Sequence, residues 1–223
     1  MALLRRNPRL RWVIVILVTA GIGIAAGGIA AAVTRSSPSN AWATPSLRDR
    51  LGLVDVTARP APPISLVDQR GRQVSLASLR GKVVVLDFMD PRCTDICPIV
   101  SQEYLRAAKL LGPDAAGVAF LAVNVNQFHR RVADVAAFSR EHRLSSLAGW
   151  HFLTGPTPEL RKIWKAYSVA LIPNPDGDVV HTSIIYFVDR SGNLRYAAMP
   201  TKDRAGIPAW GRGIATVTRG LAG

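Results

Sequence analysis

Val83-Val84-Val85-Leu86-Asp87-Phe88-Met89, followed at once by Asp90-Pro91-Arg92-Cys93-Thr94-Asp95-Ile96-Cys97-Pro98, is the stretch on which the reading of this chain turns. A near-continuous apolar, β-branched run reads as a strand buried on both faces, and so as the centre of a sheet covered by helices. The two cysteines come where that strand gives way to a helix. If the helix starts near Cys93, the i, i+4 spacing puts both sulfurs on one face, with Cβ atoms roughly 5–6 Å apart. They are the only cysteines in 223 residues. Their spacing suits disulfide exchange or coordination of a soft metal, and both chemistries use the thiolate. Helix N-terminal amides and the neighbouring Arg92 supply positive potential, which predicts a lowered pKa for Cys93. A plain stabilising disulfide is the blander reading, and a bridge across so short a loop constrains the unfolded chain only modestly.

On either side of this stretch the pattern alternates between strand and helix periods. Ile64 to Val67 and Arg72 to Ser75 flank Asp68-Gln69-Arg70-Gly71 and predict a hairpin. Ile99 to Leu111 carries helical spacing and stops at Gly112-Pro113. Val118 to Val125 reads as a second buried strand, Val132 to His142 as a helix and His151 to Leu153 as a short strand. Thr157-Pro158-Glu159 opens a helix that runs to about Tyr167, with Thr157 as N-cap and Pro158 in the first turn. Thr182 to Val188 and Leu194 to Met199 bracket the turn-rich Asp189-Arg190-Ser191-Gly192-Asn193 and predict a second hairpin. Ile207 to Leu221 reads as a last helix, weakened by Gly211 and Gly213. The alternation predicts an α/β fold, a central mixed sheet flanked by helices on both faces, in one domain over residues 64–223.

Two more side chains are candidates for work beside the cysteines. Asp87 lies six residues before Cys93 inside an apolar strand, where burial would raise its pKa and let it act as a general acid or base near neutrality. The alternative is a strand-end acid reaching solvent. Of the four histidines, His129, His142 and His151 sit on expected surfaces without a partner motif. His181 ends the loop Ile172-Pro173-Asn174-Pro175-Asp176-Gly177-Asp178 and begins a strand expected to neighbour Val83 to Met89, so the loop can overhang the cysteines. Two thiolates and one imidazole suit copper, whereas structural zinc takes a fourth protein ligand that is not evident.

The first 33 residues contain no acid, and Arg5, Arg6, Arg9 and Arg11 precede the apolar run Trp12 to Val33. Those 22 residues make a helix of about 33 Å, enough for a bilayer core of about 30 Å. The expectation is a cytoplasmic basic head (residues 1–11), a single transmembrane helix (12–33), a Pro/Ser/Ala-rich tether (34–63) with room for a short helical stretch around Ser46 to Leu51, and an extracytoplasmic domain (64–223). Ala41-Trp42-Ala43 supplies a cleavage pattern as the competing outcome. Five basic residues and no acid precede residue 44, so the remainder holds 23 basic against 15 acidic side chains, a net +8. That surface suits acidic headgroups or an acidic partner; no basic cluster interleaved with aromatics points to nucleic acid.

Gly81-Lys82-Val83-Val84-Val85-Leu86-Asp87-Phe88, the CxxxCP block Cys93 to Pro98, and His181-Thr182-Ser183-Ile184-Ile185-Tyr186-Phe187-Val188-Asp189-Arg190-Ser191-Gly192 resemble the Sco/SenC copper chaperones over roughly Ile64 to Pro200. The resemblance implies a thioredoxin-like fold, copper held by Cys93, Cys97 and His181, and delivery of copper to the binuclear copper site of cytochrome c oxidase. It also implies reduction of that site's cysteines, a thiol-disulfide reductase activity through Cys93 and Cys97. Asp87 then resembles the buried acid that precedes the first cysteine in thioredoxins. A membrane-anchored thiol-disulfide oxidoreductase is the alternative. The chain departs from the family pattern in two places: it reads Asp90-Pro91-Arg92 where an aromatic and a threonine are usual, and Asn124-Val125-Asn126-Gln127-Phe128 where an Asp-Pro stretch is usual.

Overall fold

The computed structural model describes residues 44–199 and 206–223. The expected transmembrane helix and the Ala43 cleavage position lie outside them. Among the described residues no helix is long and apolar enough to cross a membrane.

Helix α1 (Pro45–Leu51) leads into strand β1 (Val54–Pro60), then the hairpin β2 (Ser65–Val67) and β3 (Gln73–Ser75). Strand β4 (Val83–Met89), helix α2 (Ile96–Leu111), strand β5 (Val118–Asn124), helix α3 (Val132–Glu141) and strand β6 (Trp150–Leu153) follow. Helix α4 (Thr157–Ala166), a short ribbon of β7 (Leu171–Ile172) and β8 (Val180–His181), strands β9 (Ile185–Val188) and β10 (Asn193–Ala198), and helix α5 (Gly206–Ala222) complete the chain. The main sheet runs β1-β10-β9-β4-β5-β6, with β4, β5 and β6 parallel and the other neighbours antiparallel. This is the thioredoxin-like α/β fold, with helices on both faces of a mixed sheet.

Every residue of β4 and β5 is buried, as continuous apolar runs require in a doubly covered sheet. Side-chain alternation then sorts β4. Val85 and Met89 pack with α2, α3 and α5, while Val84, Leu86 and Phe88 pack with α4 and the hairpin. Asp87 has the parity of Val85 and Met89, so it faces the side on which α2 begins. The outer edge of β6 is covered by the hairpin: Val67 bridges Thr154, and the Gln69 amide donates to Trp150 O at 3.1 Å and accepts from Phe152 N at 2.8 Å. A covered edge is protected from pairing with another chain.

Three expectations are corrected. The helical stretch expected around Ser46 to Leu51 is α1, but the segment is no tether there: Leu51 and Leu53 are buried in the core, and residues 54–60 form the edge strand β1 paired with β10. Helix α2 starts at Ile96, so Cys93 lies in the turn before it and only Cys97 is helical. His181 does not open the strand beside β4: the expected strand from His181 to Val188 is interrupted over residues 182–184, so β8, which ends at His181, pairs with β7, and the strand beside β4 is β9, which begins only at Ile185.

Candidate metal and thiol site

The turn that carries Cys93 is wound around Asp90. Its Oδ1 accepts a hydrogen bond from Arg92 N at 2.8 Å, and its carbonyl accepts from Cys93 N at 3.1 Å. Cys93 is thereby set against the open end of α2, where the Cys97 amide donates to Cys93 Sγ at 3.4 Å. Both cysteines are free thiols and both are buried. Exposure separates them: Cys93 keeps 9 % of its surface and Cys97 keeps 2 %. A cleft of about 370 Å³ opens beside Cys93, bounded by Arg92, Phe138, Glu141 and His142. His142, expected on a helix surface without a role, stands at the rim of that cleft.

The two sulfurs have opposite electrostatics. The hydrogen bond from the Cys97 thiol, joined by the amides of Cys97, Asp95 and Ile96, outweighs burial and lowers the Cys93 pKa to about 6. Cys97 gives up that proton only at a pKa well above the ordinary thiol value, because its hydrogen bond to Cys93 and its burial both favour the neutral form. At neutral pH the pair is therefore one thiolate and one thiol. The prediction of a helix-terminus thiolate holds for Cys93, although the strongest cause is the second cysteine.

Asp87 is 2 % exposed, which removes the solvent-reaching alternative. Burial raises its pKa to about 7, against a hydrogen bond from Phe88 N to Oδ1 at 2.6 Å. The Tyr104 hydroxyl acts on the same carboxyl but completes no hydrogen bond of good geometry and is itself buried. The charges of Asp87 and the two cysteines act on one another, so the acid belongs to the thiol site.

His181 sits on β8, half-buried, with Nδ1 3.0 Å from Thr182 O. A carbonyl only accepts, so Nδ1 carries the proton and Nε2 keeps its lone pair for a ligand. Burial lowers the imidazole pKa, which keeps the ring neutral at pH 7. The donor chemistry thus fits a soft metal. The three side chains are not yet assembled, however: among the described residues no group of three or more His, Cys, Asp or Glu is arranged to hold a metal ion. The structure brings together Cys93, Cys97 and Asp87, and keeps His181 apart on its own ribbon.

Sequence reasoning missed the polar groups that tie these segments. Asn126 Nδ2 donates to both carboxylate oxygens of Asp90, at 3.0 and 3.2 Å. The two stretches in which the chain departs from the family pattern are therefore bonded to each other. That departure was the only available signal. His151 has a local role, with Nδ1 3.2 Å from the buried Asp68 carboxylate at the hairpin.

The SCO1/SenC family model matches residues 56–209 of the chain. A SCO1 protein homolog of Bacillus subtilis (strain 168) is 28% identical over 135 residues, covering 59% of this chain and 69% of the relative. Among solved structures, a SCO1/SenC family lipoprotein of Bacillus anthracis superposes with a TM-score of 0.65 at 20% identity, over 76% of this chain and 98% of that one, and shows the shared fold. The structure of Bradyrhizobium japonicum ScoI with copper bound is 27% identical with a TM-score of 0.55, over 70% of this chain and 98% of that one.

Proposed function

Since the chain belongs to the SCO1/SenC family, we propose that it binds copper as cargo through Cys93, Cys97 and His181, and serves the assembly of the binuclear copper site of cytochrome c oxidase from a membrane-anchored position. One observation carries this reading: two adjacent free cysteines, one of them a thiolate at neutral pH, with a neutral histidine of free Nε2 standing apart on β8. Two soft sulfurs favour Cu(I), and an imidazole accommodates either oxidation state. Anchoring rests on the apolar run from Trp12 to Val33 behind its arginines, with the domain on the extracytoplasmic side. Anaerobic titration of the reduced protein with Cu(I) is expected to give one tight equivalent, weakened by His181→Ala. Binding no stronger than that of a Cys93→Ser, Cys97→Ser double variant overturns the reading.

The pairing of Asp87 with the cysteines favours a second activity on the same sulfurs, reduction of the partner's disulfide. The Cys93 thiolate attacks one partner sulfur, forming a mixed disulfide and expelling the other as a thiolate. Cys97 then loses its proton to Asp87 and attacks Cys93 Sγ, which releases the second partner thiolate and leaves Cys93 and Cys97 joined as a disulfide. The partner gains two electrons and the pair loses two. Turnover of a disulfide substrate should survive His181→Ala and vanish in Cys93→Ser; loss in both variants removes support for a separate redox role.

A further inference from the structure

Asp90 is fully buried, and its donors come from three separate segments. Oδ1 accepts from Arg92 N at 2.8 Å in the cysteine turn. Asn126 Nδ2, from the loop between β5 and α3, reaches both oxygens. Oδ2 also accepts from Val179 N at 2.6 Å, a residue 89 positions away that immediately precedes β8. The donors are neutral amides, and the shortest of the bonds is the one to Val179. Val179 is doubly fixed, since its side chain is buried in the core cluster that contains α4. His181 follows two residues later, so one carboxylate ties the base of the histidine ribbon to the turn that presents Cys93.

We propose that Asp90 is a positioning residue for the copper ligand set, anchoring the base of the His181 ribbon to the turn that presents Cys93 without touching the metal. The proposal rests on the copper reading above. A carboxylate is required because both of its oxygens face amide donors; an asparagine turns an NH2 toward one of them whichever way it is oriented, and leaves two donors opposed. Asp90→Asn is therefore nearly isosteric and yet opposes either Arg92 N in the cysteine turn or Val179 N at the base of the ribbon, while Val179→Pro removes the second of these bonds outright.

The test uses the full-length protein in detergent and has two arms. In the metal-free protein, amide hydrogen exchange over residues 180–182 should quicken at least tenfold in Asp90→Asn while β4 and β5 amides keep their protection. In Cu(I) competition, Asp90→Asn should lose affinity to the level of His181→Ala, and the double variant should lose no more than either single one, the non-additivity expected of coupled residues. Unchanged exchange over 180–182 in both Asp90→Asn and Val179→Pro, or additive losses in a protein that binds copper, overturns the proposal while leaving the copper reading intact. Wild-type protein that binds no copper overturns both. Should Asp90→Asn fail to fold, Val179→Pro deletes the same bond from the donor side and must give the same loss of affinity.

Discussion

At the residue scale the site works by splitting two chemically identical thiols. Cys93 has its pKa lowered to about 6, so iodoacetamide alkylation of the reduced protein should rise with pH around a midpoint near 6. In Cys97→Ser that midpoint should move, because the strongest cause of the shift is replaced; an unmoved midpoint would assign the effect to the helix amides alone. The linkage signs of Cys93 and Asp87 are opposite. A lowered thiol pKa contributes stability that is present above the ordinary thiol range and lost as pH falls through about 6. A raised carboxyl pKa contributes stability that is present below the ordinary carboxylate range and lost as pH rises through about 7. Asp87→Asn should therefore gain on the wild type between pH 5 and pH 8, its advantage in Tm growing by at least about 2–4 °C, the equivalent of ~1 kcal/mol in a domain of this size. Cys93, Cys97 and Asp87 were legible because strand burial and helix-terminus chemistry are local. Asp90 was not, since its partners Asn126 and Val179 lie 36 and 89 residues away and no local pattern announces them.

At the element scale the C-terminal helix shows why propensity alone misleads. Gly211 and Gly213 weaken α5 as an isolated helix, yet a Cβ at Gly213 would lie 2.5 Å from Leu51 Cδ2, and one at Gly211 would lie 2.7 Å from Arg106 Cγ. The glycines let α5 approach α1 and α2 closely. Leu51 is fully buried and has no room to yield. Gly213→Val should cost about 2 kcal/mol or more in urea unfolding, overpacking outweighing any gain in propensity. Gly117→Ala, where a Cβ meets nothing within 4 Å, is the matched control and should stay within about 0.5 kcal/mol. Buried strands β4 and β5 and helices α2, α3 and α4 were legible from periodicity to within a few residues. The break between β8 and β9 was not, because Thr182, Ser183 and Ile184 carry strand-like composition and only sheet pairing separates them.

At the scale of the molecule the domain begins earlier than composition indicates. Pro and Ala between residues 45 and 63 read as a tether, but β1 uses Pro60 at a strand end, where a missing N–H costs no ladder bond. A chain starting at residue 42 should unfold cooperatively and stay monomeric. One starting at Ile64 loses β1 and the buried Leu51 and Leu53, uncovers β10, and should aggregate or melt at least 10 °C lower by circular dichroism; equal melting would return residues 45–60 to the tether. The unequal burial of the two cysteines has a consequence for traffic at this surface. Of the two cysteines only Cys93 opens on the cleft beside Arg92 and His142, so the proposed exchange has a single point of attachment. If the pair exchanges disulfides as proposed, departure falls to the hidden Cys97, and the lifetime of a captured partner becomes a property of the chain's interior rather than of the partner.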